Sequence, residues 1–225
     1  MKEYLYTYML TFNMKQSEFT HIAIAIITLT IILSLKKVIN NNPEFIAQSL
    51  FFALLIISIN IAAKKIVARS LDSDVEHEIW QWQRFGFRPE RHLKKPIPAG
   101  VILPLFLNII TLGIFKPMTF LTYETSALKR RAAKRFGFYS YTEMTDWHNG
   151  LIGAAGISAL LILSFISYFI PFLAGLPKYA AYYALFNLIP ISKLDGTQIF
   201  FGSKILWATL SIITLLFTYF ALIIA

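Results

Sequence analysis

At 225 residues, 56% of them apolar and none of them cysteine, the chain excludes a disulfide framework, a thiolate zinc site and a cysteine nucleophile. Its mean hydropathy is positive and its net charge is +9, which suits anionic headgroups and membrane-flanking loops better than nucleic acid. The length allows a single integral membrane domain, 1–225.

Residues 4–12 (YLYTYMLTF) are rich in β-formers and read as a short strand or a surface-lying segment. No cleavable signal peptide is expected, because Lys2, Glu3, Lys15 and Glu18 interrupt the first twenty residues. The run 19–35 is a short first span closed by Lys36 and Lys37, which can snorkel. A turn at 40–43 (NNNP) leads into a second span, 45–63.

The stretch 71–95 is polar and aromatic. Trp80, Trp82, Phe85 and Phe87 suggest the membrane interface, with a short hairpin in 78–87. The run 97–115 is apolar but carries Pro98, Gly100, Pro104, Asn108 and Gly113, which fits a re-entrant or interfacial element. Basic residues 129–135 sit on a helical pattern that suits headgroups. Further spans are expected near 151–176, where small residues permit close helix packing, near 179–196, and near 205–225.

Charge counting sets the topology. If 97–115 dips in and returns, one side holds 18 cations and the other 3. If every apolar run crosses, the two sides are nearly equal. The positive-inside rule prefers the first arrangement and makes the basic loops cytoplasmic in a multi-pass cell-membrane protein.

Asp195 is the chemical signal of the chain. It closes FNLIPISKLDG, 186–196, after a largely apolar run. An aspartate at membrane depth costs about 2.5–3.5 kcal/mol on insertion scales and usually marks a site. A second polar patch, Asn60, Lys64 and Lys65, ends the second span.

The order of elements, with Asn187, Pro190, Leu194, Asp195 and Gly196 in an N-x-x-P-x-x-x-L-D-G pattern, resembles the site-2 protease family of intramembrane zinc metalloproteases, most of all its compact archaeal-type members. The resemblance runs roughly from 45 to 207. It implies an all-α polytopic membrane protein with a site-2-protease-like helical core, a small β hairpin or strand element, and a membrane-dipping loop. The family's first motif is H-E-x-x-H, followed in many members by K-x-V-A-R. Lys65-Ile66-Val67-Ala68-Arg69 keeps that tail, and its register places the first His at Asn60, the Glu at Ile61 and the second His at Lys64. The family's A-G-P-x-x-N is also altered: Ala155 and Gly156 fit, but Ile157 and Leu160 replace Pro and Asn.

Zinc needs imidazole or carboxylate donors, and isoleucine cannot take a proton from an attacking water. The resemblance therefore implies a pseudoprotease with no catalytic residues and no zinc or other cofactor. Its expected partners are the lipid bilayer and a transmembrane-helix client or membrane protein. Two rivals stand beside it: an active intramembrane zinc endopeptidase with relocated ligands, and a purely structural membrane subunit. His77-Glu78 begins like H-E-x-x-H but ends in Gln81, and reads as a solvated polar stretch. His21, His92 and His148 read as interfacial, with His148 nearest the core helices. The resemblance implies that positions 64 and 195 meet at one metal, so Lys64 and Asp195 are expected to approach each other; each is costly alone, and pairing removes much of the cost. The alternative is that Lys64 snorkels to the interface with Lys65.

Overall fold

A computed structural model describes residues 16–40, 45–84, 92–128 and 144–224. The expected segment 4–12 and the basic run 129–135 lie outside them. In chain order the elements are α1 (Gln16–Ile39), α2 (Phe45–Ser70), β1 (Ser73–Ile79), β2 (Trp82–Arg84), β3 (His92–Ile97), α3 (Ala99–Ile110), β4 (Leu121–Ala127), α4 (Asp146–Tyr168), a 3-10 turn (Pro171–Leu173), α5 (Leu176–Asn187), α6 (Asp195–Gly202) and α7 (Lys204–Ile224). The chain is a mostly helical membrane protein. Four helices, α1, α2, α4 and α7, are long and apolar enough to cross a bilayer. They leave large apolar side chains on the outer surface, such as Phe19, Ile162, Ile205 and Leu216.

The buried core is built where α1, α2, α4 and α5 meet, from Leu29, Ile32, Phe52, Ile56, Ile157, Leu160 and Ala184. Small residues set the closest approaches. A β-carbon on Gly150 would lie 3.2 Å from the backbone of Gly202, so α4 and α6 touch almost backbone to backbone.

The β elements are two separate antiparallel pairs. β1 pairs with β4 and β2 with β3. The hairpin expected in 78–87 is therefore not formed by β1 and β2. Ile79 pairs with Leu121, a partner more than forty residues away, and Trp82 pairs with Ile97.

The chain leaves one end of the molecule at 97–100 and is back there only at Phe120, so 97–115 is the outward limb and the tip of the loop. Trp80 ties both limbs: its backbone N–H donates to Phe120, and its carbonyl accepts from the N–H of Gly100 at 2.8 Å. Gly100 has no room for a side chain there, since a β-carbon would meet the Phe120 carbonyl oxygen at 2.4 Å. α3 has 12 residues, about 18 Å of helix against a hydrocarbon core of roughly 30 Å, too short to cross alone. Its tip reaches the far end of α1, where Gly113 (φ +77) packs on the backbone of Lys36. Asn108 closes the tip by donating to the Phe115 carbonyl at 2.8 Å.

The stretch 179–196 is not one continuous helix. α5 stops at Asn187, and a turn follows in which Ser192 has positive φ (54) and Pro190 lacks an N–H. α6 then starts at Asp195. Gly196 seals this break: a β-carbon would lie 2.0 Å from the Leu188 carbonyl oxygen. The run 151–176 is likewise α4, ending at Tyr168, and then the 3-10 turn.

These contacts fix which ends lie together. The start of α1, the end of α2, both β pairs, the start of α4, α6 and the start of α7 share one end. The end of α1, the tip after α3 and the start of α5 share the other.

Candidate functional site

α2 carries Asn60, Ile61, Lys64 and Lys65 toward the β-pair end, and all four are buried. Residues 60, 61, 64, 65 and 68 fall on one broad face at helical spacing, so burying that face buries its polar members as well.

Lys64 Nζ lies 2.6 Å from Asp195 Oδ2, with the two side chains 2% and 1% exposed. Two positions 131 residues apart are brought together because α2 and α6 both pack on α4. Lys64 Nζ also sits 4.7 Å from the ring centre of Tyr123 on β4. Tyr123 donates its hydroxyl to the Asn149 carbonyl at 2.7 Å. Burial holds that phenol well above its ordinary pKa, and the charge of Asp195 adds to the shift. It stays neutral.

The pair is not fully satisfied. Asp195 Oδ1 and Asn60 Nδ2 are buried without hydrogen-bond partners. Each such group costs about 1–3 kcal/mol. Ile61 stands 4% exposed in the apolar core.

A second ion pair adjoins the first. Lys65 Nζ lies 2.8 Å from Glu18 Oε2. Lys65 does not snorkel: it is 3% exposed. Glu18 Oε1 accepts from the backbone N–H of His77 at 3.2 Å and lies 3.0 Å from its Nδ1. A carboxylate only accepts, so Nδ1 carries the proton and Nε2 is left as a buried acceptor without a partner. His77 is 1% exposed, not the solvated residue its neighbours suggest. β1 alternates, and His77 is on the inward face with Val75 and Ile79. Burial lowers its pKa to about 4, against the raising effect of the Glu18 hydrogen bond.

The remaining motif residues are structural in their contacts. Asn187 donates to the carbonyls of Met118 (3.0 Å) and Tyr183 (2.8 Å), joining α5 to the returning limb after α3. Leu194 packs with Trp80 and Ala99, and Pro190 is exposed. His148 lies one turn into α4 beside its N-cap, Thr145, whose hydroxyl contacts its ring and accepts from its backbone N–H. Leu160 and Ile157 are fully buried apolar core. Among the described residues no three His, Cys, Asp or Glu side chains converge as metal donors.

A cavity of about 590 Å³ opens next to Tyr123, the ring under Lys64, and is lined also by Thr125, Asn149, Ser192, Thr197 and Gln198. Gln198 donates to the Tyr123 carbonyl at 2.9 Å, so α6 reaches the outer edge of β4 there.

Glu18 and Tyr123 are the site residues that sequence reasoning missed. Glu18 had a signal, being a lone acid in the first turn of an apolar helix, which is the criterion that singled out Asp195. Tyr123 had none, because its position depends on a long-range strand pair. Comparison with known proteins gives no matching family model, no matching curated protein and no matching solved structure.

Proposed function

We propose that this protein is a site-2-protease-like pseudoprotease: an integral membrane protein that binds a membrane partner at a site where an ion pair stands in place of a catalytic metal. The observation that carries this reading is the 2.6 Å contact between Lys64 and Asp195. The resemblance assigns those two positions to a histidine and an aspartate on one zinc ion. An ammonium in contact with the Asp195 carboxylate repels a cation and occupies its donor. Ile61, where the resemblance places the general base, has no group to accept a proton.

The binding role draws on the cavity next to Tyr123, which opens at the β-pair end next to the break between α5 and α6. An extended or unwound segment of a membrane protein fits a cavity with those hydroxyl and amide side chains on its wall. The end bearing the β pairs is cytoplasmic in this reading, following the charge count.

Metal content is the test. The purified protein should carry no stoichiometric zinc and cleave no transmembrane peptide. Asn60→His with Ile61→Glu and Lys64→His should gain about one zinc per chain, because donors at i and i+4 then face Asp195. Zinc at one per chain in the parent, lost on Asp195→Ala, would sink the proposal. A photo-crosslinker in place of Ser192 should capture a membrane protein in cells.

A further inference from the structure

The end of the molecule opposite the β pairs carries few cations, and four converge there. Lys36 and Lys37 come from the last turn of α1, Lys116 from the limb after α3, and Lys178 from the first turn of α5. Lys116, counted from sequence with the basic side, belongs to this end because the tip of its loop packs on Lys36.

Lys116 is anchored. Its Nζ donates to the Leu33 carbonyl at 3.2 Å and lies 5.1 Å from the ring centre of Tyr179. Burial lowers its pKa to about 8, and the charges of Lys37, Lys36 and Lys178 push the same way. Leu33 lies one turn before Lys36 and Lys37, and Tyr179 follows Lys178, so these two contacts bring Lys116 among the other three lysines.

Among the described residues no carboxylate faces the cluster. At the other end Lys64, Lys65 and Lys193 each have a carboxylate within 2.8 Å. None of these four lysines has one among the described residues. The carbonyls ending α1 supply about half a negative charge, and the start of α5, which has no side-chain cap, supplies about half a positive one. Among the described residues, which do not include Glu44, the four ammonium groups are therefore left almost uncompensated. Around them Ile39, Leu112, Ile114 and Phe172 are exposed apolar side chains, so the cluster sits at the rim of the lipid-facing surface, at headgroup level.

We propose that Lys36, Lys37, Lys116 and Lys178 form a binding site for the phosphate of an anionic lipid headgroup. Lys116 is held in place before the lipid arrives, while the half-exposed Lys37 and Lys178 close on it. The rim of apolar side chains favours a lipid over free phosphate, since the acyl chains continue onto that surface.

The test compares thermal unfolding of the full chain in nanodiscs of phosphatidylcholine with and without phosphatidylglycerol. Phosphatidylglycerol should raise the midpoint of the parent by about 4 °C. Lys116→Gln with Lys178→Gln should lose at least half of that rise, and Lys94→Gln with Lys95→Gln, at the opposite end, should keep it. Native mass spectrometry supplies a readout independent of unfolding: the parent should retain a phosphatidylglycerol molecule that Lys178→Gln alone releases. The proposal fails if the parent gains nothing, or if the lysine variants gain as much as the parent and retain the lipid. Equal stabilisation by inorganic phosphate in phosphatidylcholine discs overturns the lipid assignment in favour of a free anion.

Discussion

Gly156 on α4 and Lys64 on α2 occupy adjoining space with no margin: a β-carbon on Gly156 would lie 2.6 Å from Lys64 Cε and 2.9 Å from Asn60 Nδ2. The lysine stem reaches Asp195 by passing over a glycine. Gly156→Ala should therefore push the stem aside and weaken the ion pair, destabilising the protein by about 1–3 kcal/mol. Combining it with Lys64→Ala should cost much less than the sum of the two, because the clash is gone. Urea unfolding of the three variants in detergent measures this coupling, and strict additivity would refute it.

Removing one partner of the buried pair is worse than removing both. Lys64→Ala leaves Asp195 as an uncompensated buried charge and should cost about 3–5 kcal/mol. Lys64→Met with Asp195→Leu keeps the volume and removes both charges, and should recover most of that loss. A double-mutant cycle in thermal stability reads the difference. A double variant as unstable as Lys64→Ala would mean the pair contributes something packing cannot replace.

Acid should loosen the fold through His77. The unfolded chain takes up its proton near 6.5, and burial lowers the folded value to about 4. Between those values the unfolded state binds more protons, so stability rises with pH across that window. It is complete above about 6.5 and is lost as the pH falls toward 4, by about 3 kcal/mol from this group. His77→Asn, which can keep a donor toward Glu18, should flatten the profile between pH 4 and 6.5 relative to the parent. An unchanged slope would assign the acid sensitivity to another group.

The loop through α3 should return to the side it left. The natural sequence has no cysteine, so labelling is clean. Lys94→Cys and Ser126→Cys should react with an impermeant maleimide from the same side of sealed vesicles, and Val38→Cys only from the other. Opposite patterns at 94 and 126 would make the segment a true crossing.

Much of the architecture could be read along the chain because its causes are local or cumulative. The apolar runs that became α1, α2, α4 and α7 have the 17 residues or more that a bilayer needs, and the charge asymmetry needs only counting, 18 against 3 along the chain and 17 against 4 once Lys116 is moved to the Lys36 end. Lys64 and Asp195 were expected together because the resemblance puts both positions on one metal, and a buried charge is costly without its opposite. That cost, applied to Glu18 and Lys65, would have paired them, but Glu18 lies where an apolar helix begins and looks like a first-turn acid at the water boundary.

By itself the sequence determined where the four long apolar helices form and where glycine and proline interrupt the segment through α3. Only the tertiary structure decided the pairing of β1 with β4, and with it the positions of His77 and Tyr123. Strand partners follow from three-dimensional register, and the alternation of a single strand does not reveal which face is buried. The meeting of Lys116 with Lys36, Lys37 and Lys178 was decided there too, because the path of an irregular loop follows from its hydrogen bonds to other elements, here those of Trp80 and Asn108.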